Sequence, residues 1–334
     1  MNCFKDIDAQ IVGLIEERVG LMKKEHVLAG FSEAYITELT AKHIIDPSMI
    51  KSLLDDISKT VRKGFTPPEV AFFGTPGSFT HQAAIKHFGK EAKFSAFQEI
   101  SEVFKKVDNL EIEYGIIPVE NSTEGAVNRT LDSLIDSKSL VVGEVSIPIQ
   151  QNLLSNVPLS EIENVYSHPQ ALAQSHNWLR KNLPNANLIE SENTTEGVRD
   201  ALNNKNSAAV GSLLAADYQE ISVLEKNIQD QQGNTTRFVI ISRHKNLPTG
   251  HDKTSLLVCT KHMPGALYHS LAPFDKHGIS LSMIESRPSK RLSWEYFFFI
   301  DFLGHIDEEK SQAMLKDLEK ICQFVKVLGS YPRA

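Results

Sequence analysis

The sequence predicts an α/β protein in three parts: an N-terminal helical segment, a two-lobed α/β domain with an interlobe cleft, and a C-terminal ferredoxin-like (βαββαβ) domain. Three observations favour this architecture. Apolar residues before residue 67 recur at helical spacing. Short apolar runs then alternate with helical patterns as far as residue 246, as in α/β domains with a largely parallel sheet. The order β-α-β-β-α-β finally occupies residues 250–334.

The first part, residues 1–66, has the pattern of three short helices. One helical stripe contains Arg18 where an apolar side chain is expected; its other members are Phe4, Ile7, Ile11, Leu14 and Leu21. Ser32 and Asp46-Pro47 are suitable starts for the second and third helices. Helices this short are marginal alone, so we expect them to pack on each other, on the next domain or on a second subunit.

The second part, residues 67–246, begins at a break in the helical pattern at residues 64–68. The predicted strands are 69–73, 114–119, 139–149, 163–166, 207–210 and 237–242, and the predicted helices are 79–88, 99–107, 124–136, 168–182, 194–203 and 211–217. Because this stretch is long for one simple sheet, we expect two lobes with a cleft between them.

The third part, residues 250–334, follows a linker that contains Asn246-Leu247-Pro248-Thr249-Gly250. The predicted strands are 255–260, 279–286, 293–303 and 322–328, and the predicted helices are 264–274 and 308–320. This alternation is the ferredoxin-like plan.

Composition narrows the classes of function. The 334-residue chain contains 35 lysines and arginines against 42 acidic residues, a formal net charge of −7. This balance argues against a broad surface for nucleic acid or anionic membranes. Cys3, Cys259 and Cys322 form neither a disulfide framework nor a C-x-x-C site for metal or redox work. The N-terminus lacks the apolar core of a signal peptide, so we expect a cytoplasmic protein that binds small molecules and copies of itself.

Four polar turns follow strands of the second part. They contain Ser78 in residues 74–81, Asn121 in 118–125, Ser167 and His168 with Gln174 one turn later, and Glu192 in 190–195. Each alone is more typical of helix capping than of function. A fifth stretch, Asn234–Phe238, places two hydroxyls and a guanidinium at the start of a strand. If all five lie at one end of a parallel sheet, they converge on one crevice, which favours an anion-binding cleft.

Four motifs in this order resemble the signatures of prephenate dehydratase. They are GxxGSFTHQAA (74–84), IIPVENSTEGAV (116–127), YSHPQALAQ (166–174) and NTTRFVII (234–241). The segments Pro264–Tyr268 and Ile284–Pro288 are similar to the ACT regulatory domain of that family. One departure is Thr75-Pro76, where the family usually carries proline at the first position; the glycines stay in place.

The resemblance implies conversion of prephenate to phenylpyruvate, with loss of carbon dioxide and of the ring hydroxyl, without a metal or other cofactor. It implies that Thr236 assists departure of the hydroxyl, as a hydrogen-bond donor or in a proton relay. Asn121 and Ser167 would bind or orient the substrate, Gln174 and Glu192 would serve the same network, and Ser78 is a candidate for binding a carboxylate. Arg237 would either pair with a substrate carboxylate or stiffen its strand.

The ACT-like motifs imply control by phenylalanine. Its binding residues would be Gly265, Ala266 and Leu267 in one motif and Glu285, Ser286, Arg287 and Pro288 in the other. Glycine before a helix start suits an α-carboxylate, and a glutamate suits an ammonium group. Because ACT domains usually pair between subunits, we expect a homodimer or homotetramer. A structural domain that only dimerises is the alternative.

The first helix resembles that of an AroQ-type chorismate mutase, with Arg18 at the place of a substrate-binding arginine. Met1 and Ala29 stand where further cations would be expected, which predicts a degenerate mutase segment. Three alternatives stay open: a bifunctional mutase–dehydratase, an arogenate dehydratase, and a non-catalytic amino-acid sensor.

Overall fold

The computed structural model describes residues 67–261, 263–288 and 296–333, and before residue 67 only Gln10, Ile11, Gly13, Leu14, Glu17, Asp46, Met49 and Ser52. The predicted N-terminal helical segment, including Arg18, therefore lies almost entirely outside the described residues. Among the described residues, no helix is both long enough and apolar enough to cross a membrane.

The described part from residue 67 onward contains fifteen strands and nine α-helices. The strands are β1 (Glu69–Phe73), β2 (Lys93–Phe97), β3 (Tyr114–Asn121), β4 (Gly125–Ala126), β5 (Leu140–Pro148), β6 (Asn152–Leu154), β7 (Asn164–Ser167), β8 (Asn187–Glu190), β9 (Ser207–Gly211), β10 (Val223–Glu225), β11 (Thr235–Ser242), β12 (Asp252–Cys259), β13 (Leu281–Pro288), β14 (Tyr296–Leu303) and β15 (Phe324–Pro332). The helices are α1 (Phe79–Phe88), α2 (Ile100–Asp108), α3 (Asn128–Asp136), α4 (Pro169–Gln174), α5 (His176–Asn182), α6 (Thr194–Asn203), α7 (Leu213–Gln219), α8 (Ala266–Lys276) and α9 (Glu309–Ile321).

The sheet of the first lobe has the order β2-β1-β3-β11-β5, with β4 paired to β3. Strands β1, β2 and β3 are parallel, whereas β11 runs antiparallel to both β3 and β5. The expectation of a largely parallel sheet is therefore wrong for β11. The reversal matters because it brings the beginning of β11 beside the end of β3, where Thr236 pairs in register with Asn121.

The second lobe has its own sheet, in the order β10-β6-β9-β7-β8. The chain enters this lobe through a first crossing, residues 149–151 between β5 and β6, and returns through a second crossing, residues 226–234 between β10 and β11. The helix predicted over 168–182 is two helices, because Ser175 leaves helical geometry between α4 and α5. This arrangement confirms two lobes with a cleft between them.

The C-terminal sheet is antiparallel in the order β13-β14-β12-β15, the ferredoxin-like arrangement that the sequence predicts. One face packs under α8 and α9 around Phe274, Met314 and Leu318. The other face shares a hydrophobic core with the first lobe, to which Leu257 and Tyr331 contribute. The C-terminal domain is therefore docked directly on the sheet that carries β11.

Gly329 marks the closest approach between the C-terminal sheet and the first lobe. A Cβ atom at this glycine would lie 2.1 Å from the carbonyl oxygen of Val141 in β5. Its φ of 150° is also one that other residues rarely adopt. The absence of a side chain thus lets the backbones of β15 and β5 meet.

The substitution Gly329→Ala will destabilise the protein by about 1–3 kcal/mol through overpacking, beyond the backbone strain that any left-handed glycine replacement brings. Gly278→Ala is the matched control, because Gly278 also has a positive φ but no atom within 4 Å of the added Cβ. Urea unfolding measures both variants. Equal loss of stability would show that the contact with Val141 relaxes freely.

Candidate active site

A cleft of about 250 Å³ lies between the two lobes. Both lobes and the first crossing contribute to its lining, which comprises Phe79, Thr80, Pro118, Asn121, Glu124, Val127, Ile149, Gln151, His168, Gln170, Ala171, Gln174, Thr194, Thr236 and Phe238. Parts of all five predicted polar stretches therefore meet in one place. The fourth turn contributes Thr194 rather than Glu192.

The hydroxyl of Thr236 is held by a buried amide. Asn121 Nδ2 donates to Thr236 Oγ1 at 2.8 Å and to Asn234 Oδ1 at 2.8 Å. The orientation of this amide is fixed, because Asn121 Oδ1 accepts from the backbone N–H groups of Thr123 and Glu124. Since Thr236 Oγ1 is an acceptor in the bond to Asn121, its own hydrogen is left for a group in the cleft. The network thus makes Thr236 a hydrogen-bond donor.

The start of β11 is fixed by a second set of contacts. Ser122 Oγ donates to Asn234 Oδ1 at 3.3 Å and accepts from the backbone N–H of Thr235 at 3.0 Å. The backbone N–H of Ile149 donates to the carbonyl of Asn234. These bonds join the end of β3, the beginning of β11 and the first crossing between the lobes, so the position of Thr236 depends on all three.

Hydrogen bonds also bridge the two lobes around the cleft. Gln170 Nε2 in the second lobe donates to Glu124 Oε1 in the first at 2.5 Å. Ser212 Oγ donates to the carbonyl of Gly77 at 2.8 Å, and a Cβ at Gly77 would lie 3.0 Å from the Cα of Ala215. The glycine-rich first turn therefore allows close contact between the lobes.

The cleft contains few groups that can carry positive charge. Among the described residues that line it, none is lysine or arginine, which leaves His168. His168 Nδ1 accepts from the backbone N–H of Gln170 at 3.2 Å, so a neutral ring carries its hydrogen on Nε2. Helices α1 and α6 begin at the cleft, where Thr80 and Thr194 line it. Helix N-termini attract carboxylates.

Besides Arg237, three predicted site residues lie apart from the lining. Ser78 caps α1, with Oγ accepting from the backbone N–H of His81. Ser167 is fully buried and donates from Oγ to the carbonyl of Val210 at 2.6 Å, which commits its hydroxyl to the fold. Glu192 is exposed and precedes the helix cap Asn193. Direct contact with a ligand in the cleft is therefore not supported for Ser167 or Glu192.

Of the two roles expected for Arg237, its contacts support stiffening of the strand and argue against binding of a substrate carboxylate. Adjacent residues of a strand point to opposite faces, and Arg237 faces away from Thr236 towards the C-terminal sheet. Its Nη1 lies 2.8 Å from Asp301 Oδ2 and 3.1 Å from Glu144 Oε2. Burial by itself lowers the pKa of Arg237, but nearby charges, those of Asp301 and Glu144 among them, raise it above its ordinary value. Arg237 is therefore a charged anchor for β11.

Two cleft residues that sequence reasoning did not select are Gln151 and Glu124. Gln151 is buried and donates from Nε2 to Gln174 Oε1 at 3.1 Å. Glu124 lies within the second predicted polar turn, whereas no local pattern marks Gln151, which acquires its place from elements far apart in the chain. Gln174, which the sequence did select, lines the cleft and takes part in this contact.

The two ACT-like motifs lie on different elements of the C-terminal domain. Gly265, with φ of 74°, precedes α8, which begins with Ala266 and Leu267. Glu285, Ser286, Arg287 and Pro288 lie on β13, at the edge of the sheet. Arg287 Nη2 lies 2.9 Å from Asp132 Oδ1 on α3, so this guanidinium links β13 to the first lobe. This contact argues against assigning Arg287 to an effector.

A family model and relatives at 33% identity or more show the family of the chain. Residues 70–246 match the family model described as prephenate dehydratase. The chain is 46% identical over 267 residues to the bifunctional chorismate mutase/prephenate dehydratase of Aquifex aeolicus, covering 80% of this chain and 74% of that protein. The protein of the same name from Neisseria gonorrhoeae is 37% identical over 100% of this chain and 96% of its own length. A structure of prephenate dehydratase from Arthrobacter aurescens in complex with L-Phe has 33% identity and a TM-score of 0.74, covering 80% of this chain and 90% of that one.

Proposed function

The chain belongs to the prephenate dehydratase family, and we propose that it holds prephenate in the interlobe cleft with Thr236 beside the departing hydroxyl. The reaction consumes one proton: the prephenate dianion and a proton give phenylpyruvate, carbon dioxide and water. Breaking the ring–carboxylate bond supplies the electron pair for aromatisation as the carbon–oxygen bond breaks. The enzyme must therefore hold two carboxylates and assist departure of the hydroxyl.

The observation that carries this proposal is the bond from Asn121 to Thr236. A threonine hydroxyl is too weak an acid to give up its proton unaided at neutral pH, but it can donate a hydrogen bond or pass on a proton from solvent. With Oγ1 already accepting from Asn121, the remaining hydrogen of Thr236 is directed to another acceptor. The oxygen of the leaving hydroxyl is such an acceptor.

The substrate carboxylates have suitable partners although the described lining lacks lysine and arginine. The backbone N–H groups at the starts of α1 and α6 attract anions, and His168 offers an Nε2–H donor. Hydrogen-bond donors that are fixed by the fold need little rearrangement when the substrate binds. This arrangement supports a cleft for a small dianion.

The direct test is to incubate the full-length chain with prephenate and to record the absorbance of phenylpyruvate. Turnover supports the proposal and excludes a non-catalytic amino-acid sensor. A parallel reaction with arogenate, which differs by an amino group, defines the substrate preference. Binding of either compound without turnover would contradict the assignment of Thr236 to catalysis.

We further propose that residues 1–66 are a degenerate mutase segment that does not convert chorismate. The relative from N. gonorrhoeae, named as bifunctional, aligns with the whole chain. In the sequence, however, Arg18 lacks the companion cations that pericyclic catalysis around two carboxylates requires. Formation of prephenate from chorismate by the full-length chain would overturn this proposal and favour a bifunctional enzyme.

Regulation by phenylalanine is the third part of the proposal. The relative from A. aurescens was solved with L-Phe, and this chain carries Gly265-Ala266-Leu267 and Glu285-Ser286 in a ferredoxin-like domain. The edge strand β13 and the exposed side chains of Tyr268 and Ile284 suit pairing with a second copy. We infer a homodimer or homotetramer whose effector sites include Gly265-Ala266-Leu267 and Glu285-Ser286. If phenylalanine neither inhibits turnover nor raises the unfolding midpoint, the proposal of regulation by phenylalanine is contradicted.

The route from this domain to the cleft runs through Arg237. Its guanidinium contacts Asp301 on β14 and lies 3.1 Å from Met283 Sδ on β13, the strand that also carries Glu285. Thr236 is the preceding residue of β11. We propose that phenylalanine alters turnover through this contact between the C-terminal sheet and β11.

A further inference from the structure

Gln151, in the wall of the cleft, has a hydrogen-bond acceptor that no described protein group uses. The residue is 3% exposed. The backbone N–H donates to Gln229 Oε1 at 3.0 Å, and the side-chain Nε2 donates to Gln174 Oε1 at 3.1 Å. Gln151 Oε1 is buried and accepts no hydrogen bond from the residues that the structure describes.

An unpaired buried amide oxygen is costly. Leaving such a group unsatisfied costs about 1–3 kcal/mol, which is why native structures contain few of them. The described part of the chain has seven buried side-chain atoms without a partner, and Gln151 Oε1 is the one that belongs to a residue lining the cleft. Its position indicates an acceptor kept for a ligand.

We propose that Gln151 Oε1 accepts a hydrogen bond from the ring hydroxyl of prephenate. The inference rests on the proposed function, since it takes prephenate as the ligand. At neutral pH both carboxylates and the keto oxygen of prephenate only accept hydrogen bonds, so its ring hydroxyl is its single strong donor. The chemistry of the unused acceptor thus selects one atom of the substrate.

This contact completes the surroundings of the leaving group. Gln151 holds the hydrogen of the hydroxyl, which turns the oxygen lone pairs towards the hydrogen of Thr236. When the carbon–oxygen bond breaks, its electron pair stays on the oxygen. The oxygen keeps the hydrogen held by Gln151 and receives a second proton, which comes from solvent through Thr236, so that water leaves. Gln151 would therefore contact the hydrogen of the leaving hydroxyl, and Thr236 its oxygen.

The substitution Gln151→Met tests the proposal, because methionine has a similar length and no amide. We expect kcat/KM for prephenate to fall on the order of tenfold, the effect of losing one hydrogen bond in a buried site. The matched control is Gln150→Met. Gln150 is the exposed neighbour of Gln151 and lies outside the lining of the cleft, so turnover by this variant should equal that of the parent protein.

A second measurement separates orientation of the hydroxyl from a structural role. Phenylpyruvate lacks the ring hydroxyl, so its inhibition constant should be the same for Gln151→Met as for the parent protein. Turnover of Gln151→Met within twofold of the parent would overturn the proposal, and so would a parallel loss of phenylpyruvate binding. Gln151→Leu repeats the test if the methionine variant does not fold. If the parent itself gives no phenylpyruvate, the proposed function fails instead.

Discussion

The substitution Thr236→Val is expected to lower kcat for prephenate by about 10²–10⁴-fold, the usual contribution of a positioned proton donor. Valine keeps the shape and the preference for strand conformation of threonine, and it removes only the hydroxyl. Asn121 Nδ2 loses one acceptor but keeps its bond to Asn234 Oδ1. The fold should therefore survive, with the loss appearing in kcat rather than in the unfolding midpoint.

Two variants sharpen this experiment. Thr236→Ser retains a hydroxyl and should recover much of the activity lost in the valine variant. Thr235→Val changes the preceding threonine, which is not among the described residues that line the cleft, and should stay close to the parent. If Thr236→Val retains more than a tenth of the parent kcat, the hydroxyl has no part in departure of the leaving group.

Local sequence patterns were sufficient to predict the bounds of elements that are long or have clear boundaries. Strand β1 and helix α1 have the predicted bounds, because an apolar run ends at the glycine-rich turn and Ser78 caps the next helix. The strands β2, β4, β6, β8 and β10 were not predicted. Strands β4, β6 and β10 have two or three residues, which is too short for alternation to distinguish them from loops. Strands β2 and β8 are mostly exposed, so neither carries an apolar run. Their positions depend on pairing with distant strands.

The direction of β11 was beyond local inference. Its sequence is the same apolar run whether it lies parallel or antiparallel to β3, so the site was expected at the end of a parallel sheet. The face of the strand on which Arg237 lies could, however, be predicted from the sequence. Thr236 and Arg237 are neighbours in a strand, and period-two alternation excludes a shared face. Alternation alone therefore places the guanidinium on the face away from the cleft.

The buried amides show a different limit. The roles of Asn121 and Gln174 were suggested by resemblance, but their contacts depend on Asn234 and Gln151, which lie up to 113 residues away in the chain. No local sequence pattern marks Gln151, because its unpaired acceptor can be recognised only in the folded structure. Satisfaction of buried polar groups is decided by the tertiary structure.

The contact between Arg237 and the C-terminal sheet gives the second large expected effect, on regulation. Asp301 is almost completely buried, and its Oδ1 also accepts from Ser255 Oγ at 2.6 Å. Glu144 likewise bonds both Arg237 and Lys253. These buried charges connect β5, β11, β12 and β14, so a shift of the C-terminal sheet must change the surroundings of β11.

The substitution Asp301→Asn keeps the shape of the side chain and removes the charge that faces Arg237. Phenylalanine should still raise the unfolding midpoint of this variant, because the motifs at Gly265 and Glu285 are intact. Inhibition should weaken, with the half-maximal concentration rising at least tenfold, which corresponds to about 1.4 kcal/mol of lost coupling. Binding and inhibition would thus separate in one variant.

Asp307→Asn provides the matched control for this experiment. Asp307 pairs with Lys245 of the linker at 2.8 Å, but the pair is exposed and does not contact β11. Surface pairs of this kind contribute little, so inhibition should equal that of the parent. Equal inhibition of Asp301→Asn and the parent would contradict transmission through Arg237. Failure of phenylalanine to bind the parent would contradict regulation itself, because transmission through Arg237 presupposes an effector bound to the C-terminal domain.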